Sequence, residues 1–383
     1  MMFRIPWGRV NWPTSIFLFG TLLLSVTAAP IYLWQFGLDW FQVILFLVFF
    51  ACSSMSITLG YHRLFSHLAF RARWPVRLGV LMFGSAAFEG SVLDWTSDHR
   101  RHHKHVDHDD DPYDITKGFF HAHIGWLLFK LRPEPPMDNV NDLLQDPLLV
   151  WQHRYTHWIG AFISFVLAPA LGWAWGGPAS ALGSFLLAGV ARIVCVQHTT
   201  FFINSFCHMI GRRPYSTRCT ARDSWLMALF TFGEGYHNFH HEFQHDYRNG
   251  VKPWQFDPTK WAIWLLHQCG LTSDLRRVPT EKISLAEIAE KQRQLQLCLE
   301  TKSLHLSESM HSLLQKAQER LHRAAQNWEQ RKQEYARATE RKLEASRERL
   351  AELKREFELA AAHLREAIQH WHEAHSQIVA RFA

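Results

Sequence analysis

The chain has 383 residues, and its 41 Lys and Arg stand against 35 Asp and Glu, a net charge of +6. That excess is too small to indicate a nucleic-acid binder, and it suits a face lying beside anionic lipid. Hydrophobic residues make up 48%, and the mean hydropathy of −0.16 averages two unlike parts, a membrane-like first part and a charged tail.

Residues 10–38 contain no charged side chain, and neither do 40–61. A bilayer crossing needs ~20 apolar residues, so these stretches predict membrane helices at about 13–36 and 41–61. "HRLFSH" follows, with His62 and His67 five residues apart. An ideal α-helix would separate them by ~140°, so the pair suits a helix end or a distorted turn. The apolar stretch 78–88 has only 11 residues and reads as interfacial or re-entrant.

"HRRHH" (99–103) comes next. Positions i, i+3 and i+4 share a helical face, so His99, His102 and His103 point together. Residues 158–191 are again uncharged. With 192–203 they predict two crossings, at 158–175 and 180–203, turned at "WGGPAS" where Gly176, Gly177 and Pro178 supply the turn chemistry. "NSFCH" leaves that stretch with Asn204 and His208 one turn apart, and "GEGYHNFHHEF" repeats the i, i+3, i+4 pattern at His237, His240 and His241.

The segment 62–154 carries 11 Lys and Arg, while the short connections near 36–40 and 173–180 carry none. Arg4 and Arg9 precede the first crossing. By the positive-inside rule both termini and the central segment are expected on the cytoplasmic side. Six cysteines without CxxC spacing argue for a reducing compartment and against a disulfide framework.

From Thr280 to Ala383 there is no Gly or Pro, with 18 Lys and Arg and 16 Glu. Leu314, Leu321, Trp328 and Tyr335 recur every seven residues; Leu343, Leu350, Phe357, Leu364, Trp371 and Ile378 resume the period after a one-residue skip. Leu353, Ala360, Ala367 and Ala374 form a companion seam. The pattern predicts a coiled coil that reaches ~150 Å if it is one helix. A hairpin folded near 299–309 is the alternative. The tail would serve oligomerisation or docking, or pack only on itself. The expected domains are 1–279 and 280–383.

Nine histidines in four spaced groups need a common cause. Crowded imidazoles repel when protonated, whereas a metal takes the neutral ring as ligand. Nine nitrogens exceed what one ion holds, so two metals are implied; imidazole suits Fe, Zn, Cu or Ni alike. Ligating imidazoles usually donate their second N–H to a carboxylate or carbonyl, for which Asp98, Asp111 and Glu234, with Asp94 and Glu242, are the nearby candidates.

"HRLFSH", "DHRRHH", "NSFCH" and "HNFHH", with "GFFHAHIGWLLFK" and "FGEGYHNFHHEFQHDYRNG" around them, closely resemble the membrane acyl-CoA delta-9 fatty acid desaturases of the stearoyl-CoA desaturase type. The likeness covers roughly 12–275 and leaves out the tail. It implies an all-α fold: a four-transmembrane-helix stem and a cytosolic helical cap holding a diiron site. Here a long C-terminal coiled-coil helix is added. The resemblance implies two Fe²⁺ ions. One would take His62, His99, His237 and His240, with Asn204 through a water; the other would take His67, His102, His103, His208 and His241. It also implies a kinked tunnel for an acyl chain, a reaction that uses O2 and two electrons, and a cis double bond as product.

No flavin or nicotinamide fingerprint and no HPGG haem motif occurs, so a separate electron donor of cytochrome, ferredoxin or rubredoxin type is expected. Trp95 and Lys130 are the expected substrate contacts. Phe46 and Phe50, four residues apart on the second crossing, are expected to close the tunnel. Glu89, Gly90 and Ser97 depart from the Gln-Asn pair and the Arg that the animal enzymes carry near the CoA headgroup. The carrier is therefore open between CoA, acyl carrier protein and membrane lipid. Two other classes share some of these features: a membrane diiron hydroxylase acting on alkyl or sterol substrates, and a non-catalytic metal-binding scaffold.

Overall fold

The computed structural model describes residues 7–130, 136–302, 306–340 and 347–381; Arg4 and Leu343 lie outside them. The chain divides into two compact units, residues 1–277 and 278–383.

In the first unit, three helical runs are long and apolar enough to cross a membrane: α1 (Trp12–Phe36), α2 (Trp40–Ser66) and Pro147–Met209. The last has 63 residues. As one straight helix it would measure ~95 Å, about three hydrocarbon thicknesses. Gly176 and Gly177 break it with non-helical backbone, Gly177 at φ 68°, and Pro178 follows. We call its parts α5 (147–175) and α6 (178–209). Between α2 and α5 lie α3 (Trp74–Ala87) and α4 (Val92–His105), bent 82° from each other. Their corner explains why the short apolar stretch 78–88 does not continue as a straight crossing.

Unlike a water-soluble protein, this unit turns large apolar side chains outward as well as into its core. Ile16, Phe19, Leu23, Trp34, Leu47, Phe162 and Trp173 face outward. Polar groups pair inside. Gln42 donates to the Tyr32 hydroxyl at 2.7 Å, and Gln152 donates to Tyr61, Ser85 and Thr156 at 2.7–3.0 Å. Lipid tails do not satisfy such groups, so they bond to one another between helices.

The end of α2 changes its winding. Residues Ser56–Ser66 use i→i+5 hydrogen bonds, closed by His67 N–H to His62 O at 3.1 Å. This wider turn brings i and i+5 closer around the axis than an α-helix does, which resolves the His62–His67 spacing. The capping box of Ser91 and Asp94 starts α4 and sets the phase of its three histidines. The third cluster lies on α7 (His237–Glu242). Before it, Gly233 has φ +99°, and a Cβ on Gly235 would fall 2.1 Å from the Ala228 backbone nitrogen, so both glycines are required. After α7 comes α8 (Pro258–Gln268). The only departure from an all-helical layout among the described residues is a two-residue antiparallel pairing, Arg71–Ala72 with Thr272–Ser273, and a few isolated bridges.

The second unit is not one long helix. It is α9 (Thr280–Thr301), α10 (Glu308–Glu340) and α11 (Arg347–Val379). Helices α10 and α11 run antiparallel. Arg320 pairs with Glu366 at 2.7 Å, Arg331 with Glu356 at 2.9 Å, and Phe357 stacks on Tyr335. Leu321, Trp328, Leu364 and Trp371 share one buried cluster with Ile288 of α9. The heptad seam therefore fills itself within one chain, because an extended rod would leave that apolar stripe in water. Trp371 is wholly buried there. Trp371→Ala is expected to destabilise the tail by about 3–5 kcal/mol, read by circular-dichroism melting of residues 278–383.

Candidate metal centre

Nine imidazoles meet where α2, α4, α6 and α7 come together. Every one turns its Nε2 inward. His62 Nε2 lies 3.0 Å from His240 Nε2, which lies 3.0 Å from His103 Nε2; His67 and His99 meet at 2.8 Å. In a second group, His237 Nε2 is 3.1 Å from both His208 and His241, and His241 is 3.3 Å from His102. Ligand atoms within each group lie within 4.8 Å of one another: His62, His67, His99, His103 and His240 in one, His102, His208, His237 and His241 in the other.

This partition differs from the one the resemblance implied, in which His237 sat with His62 while His67 and His103 sat with His102. The cause is the helix phase. On α4, His99 and His103 are one full turn apart and point to one group, and His102 turns to the other. On α7, His237 and His241 share a side and His240 leaves them.

These contacts fit a metal. Two neutral imidazoles at 3 Å share one N–H, but a ring of lone pairs facing one another does not satisfy itself. A metal with nitrogen bonds of ~2.1 Å spaces adjacent ligand nitrogens by ~3.0–3.4 Å, close to the 2.8–3.3 Å seen here. Burial, followed by the neighbouring imidazoles, pushes His237, His240 and His241 well below the ordinary histidine range. They are neutral near pH 7, with lone pairs available.

The outward nitrogens decide the tautomer. His102 Nδ1 is 2.9–3.0 Å from both Asp111 oxygens, and His62 Nδ1 is 3.0 Å from Glu234 Oε2. His208 Nδ1 meets the Thr220 hydroxyl at 2.7 Å, and that hydroxyl donates to Asp107 at 2.6 Å. Such partners hold the proton on Nδ1 and leave Nε2 free for a metal. Burial alone would raise Glu234, but Arg63 and His62 outweigh it and hold the carboxyl at about 2. Burial also opposes ionisation of Asp111, yet His102 and the Tyr113 and Asp107 N–H groups keep it below the usual range.

Arg63 ties the network together. Its guanidinium donates to Glu234 at 2.8 Å, to Asp257 at 3.1 Å and to the Tyr247 carbonyl at 2.8 Å. Arg63, Asp257, Thr220 and Asp107 were not among the residues read from sequence. Arg63 had a signal, a charge beside His62 just past an uncharged span. Among the described residues Asp98 makes no hydrogen bond to an imidazole; it lines the cavity described next.

A cavity of about 290 Å³ runs from the histidines toward α1, lined by Phe17, Leu18, Ile57, Phe88, Trp95 and Phe201. His62, His99, His102 and His237 open into it, as does Asn204. Trp95 stacks on His99 at 4.8 Å and donates its indole N–H to Glu89 at 3.3 Å. Lys130 is exposed and absent from the lining, its backbone N–H bonded to the Arg9 carbonyl. Phe46 and Phe50 do not line the cavity either. They stack on each other, and Phe50 packs on Phe232 at 5.6 Å. Their shared helical face was legible; that it meets protein rather than a void was not.

The chain matches known proteins in sequence. The fatty acid desaturase family model matches residues 38–269. A probable acyl-CoA desaturase from Schizosaccharomyces pombe is 37% identical over 292 residues, 76% of this chain and 59% of its own length. Acyl-CoA desaturase 1 from Saccharomyces cerevisiae is 39% identical over 298 residues, 76% of this chain and 58% of its own. An acyl-CoA Delta12-desaturase from Acheta domesticus is 32% identical over 291 residues, 73% and 78% respectively. The chain thus spans about three fifths of the length of the two yeast relatives. The family match takes in all four histidine groups and the helices that bring them together, and the chain belongs to the fatty acid desaturase family.

Proposed function

We propose that this chain is an integral-membrane diiron desaturase that inserts a cis double bond, at the delta-9 position, into a saturated acyl thioester. One acyl thioester, O2, two electrons and two protons give the monoene and two waters. The observation that carries this reading is the pair of inward-facing Nε2 groups at the end of an apolar cavity.

His62, His67, His99, His103 and His240 would hold one iron, and His102, His208, His237 and His241 the other. Reduced iron, when bound, supplies the activation of dioxygen that removal of hydrogen from an unactivated methylene demands. The rest is the work of the chain. Glu234 and Asp111 keep His62 and His102 in the ligating tautomer. Phe17, Leu18, Ile57 and Phe201 take the acyl chain out of water and limit its conformers, which converts a chance encounter into a positioned one. Trp95, flat against His99, forms the wall beside the centre.

In this reading α1, α2, α5 and α6 form a four-helix stem, with the histidine centre and both termini cytoplasmic. Electrons come from a separate donor. The carrier is CoA or another acyl carrier, and Ser97, bonded to Asn139 at 2.8 Å, offers no positive charge to its phosphates.

The test is expression in a host lacking its own desaturase, with fatty acids resolved by mass spectrometry. New monoenes support the proposal. Hydroxylated fatty acids would favour the hydroxylase class, and an unchanged profile with folded, metal-loaded protein would favour a scaffold. Two variants extend this assay. Truncation after Arg277 is expected to leave product yield within about twofold of wild type, since all nine imidazoles of the centre belong to the first unit; twofold is below 0.5 kcal/mol. Phe50→Ala is expected to leave chain-length preference unchanged, because Phe50 lies outside the cavity lining, whereas a shift toward longer chains would place it at the tunnel end.

A further inference from the structure

The corner between α3 and α4 is held from one side by a single helix. Helix α3 ends at Ala87, and Phe88 adopts φ 57°, ψ 41°. That left-handed conformation is disfavoured for a bulky residue and persists only where surroundings impose it. Its ring forms cavity wall, 4.8 Å from Phe17 and 5.7 Å from Phe165.

The last carbonyls of a helix have no partner within it. Here α6 supplies them. Arg192, wholly buried, donates Nη1 to the Ala86 carbonyl at 2.5 Å, Nη2 to Ser164 Oγ at 2.6 Å and Nε to the Ala188 carbonyl at 3.1 Å. Gln197 donates Nε2 to the Phe88 carbonyl at 3.2 Å and to Ala87 at 3.4 Å. No carboxylate among the described residues pairs with Arg192. A cation inside a membrane bundle without a counter-charge is costly and marks function by default. The negative end of the α3 dipole offsets part of that cost.

The same helix continues toward the metal centre. Thr200 lines the same cavity as Glu89, the next residue of the corner, Asn204 lines it too, and His208 belongs to the second histidine group. Helix α6 is therefore a ruler with the corner at one mark and the centre at another.

We propose that Arg192 and Gln197 are positioning residues for the acyl chain: by clamping the Phe88 corner to the helix that carries His208, they fix which methylene lies beside the histidines. This rests on the desaturase reading above. A merely structural clamp would change the amount of folded protein and of total product in parallel, and would leave the distribution of double-bond positions alone.

The experiment uses full-length Gln197→Met and Arg192→Lys. Gln197→Met keeps side-chain length without the donor and leaves the buried cation in place, so it decides the question if Arg192→Lys fails to accumulate. Two readouts are taken. One is the double-bond position in products formed in the host. The other needs no turnover: a saturated acyl thioester with a mid-chain diazirine is photolysed in purified protein and its attachment sites are mapped by mass spectrometry. Wild type is expected to give one dominant isomer and label a narrow set of cavity residues. Loss of one corner bond is expected to raise the minor positional isomers about five- to tenfold and to spread the label. An isomer ratio and label pattern identical to wild type in folded variants would overturn the clamp. If wild type labels sharply but forms no monoene, the desaturase reading fails and the label spread alone judges the clamp.

Discussion

His240→Ala is expected to lower product formation by more than about a hundredfold and to remove one of two bound metals per chain, with the fold retained. A hundredfold is the upper end of the cost of losing a partner that only orients a ligand, and His240 is placed to be a ligand itself. Its Nε2 touches His62 and His103, each at 3.0 Å, so it stands at the centre of its group. His102→Ala empties the other group by the same logic. The double variant is therefore expected to bind no metal where each single variant binds one. Elemental analysis of purified protein, together with fatty-acid profiles, checks both statements. Zinc in place of iron would still count as occupancy, since imidazole sites accept either. Full activity in either single variant would remove that histidine from the centre, and loss of both metals on one substitution would mean that the groups do not bind independently.

Glu234→Gln is expected to weaken metal retention by about 10- to 100-fold and to destabilise the first unit by about 3 kcal/mol, toward the lower end for breaking a buried ion pair because glutamine keeps one acceptor. Glu234 is 1% exposed and faces Arg63, His62 and Asn249. Without its charge, Arg63 keeps Asp257 alone. The pH dependence has a definite sign. The Glu234 carboxyl is depressed to about 2. Its stabilisation is present in full above the unfolded value of about 4.3 and is lost as pH falls toward 2. The stability difference between wild type and variant is therefore expected to be constant above about pH 5 and to shrink below it. Chelator-challenge half-lives at pH 7 and thermal melts from pH 7 down to about pH 2.5 measure the two effects. Equal chelator resistance would show that Glu234 does not orient His62.

The membrane runs, the breaks at Gly176–Gly177 and the histidine triplets were legible because each is a local property. Runs without charge report solvent, and i, i+3, i+4 spacing reports a helix face before any partner is known. The "HRLFSH" pair was half legible: its spacing ruled out a regular α-helix facing both rings one way, but only the i→i+5 winding of residues 56–66 showed how they meet. The heptads of the tail stated that an apolar seam must be buried, not that α10 and α11 would bury it against each other.

What only the tertiary structure decided are contacts between residues far apart in the chain. His62 meets His240 across 178 positions and Arg63 meets Asp257 across 194. Which histidines share a group follows from the relative rotation of α2, α4, α6 and α7, a quantity that no single helix encodes. Asp111 and Asp98 look alike in sequence, yet one reaches His102 and the other lines the cavity. Phe46 and Phe50 share a face by local geometry, but whether that face meets a void or a neighbouring ring depends on Phe232, more than 180 residues away. Periodicity assigns each side chain a direction on its own helix; the packing of the helices decides what stands in that direction.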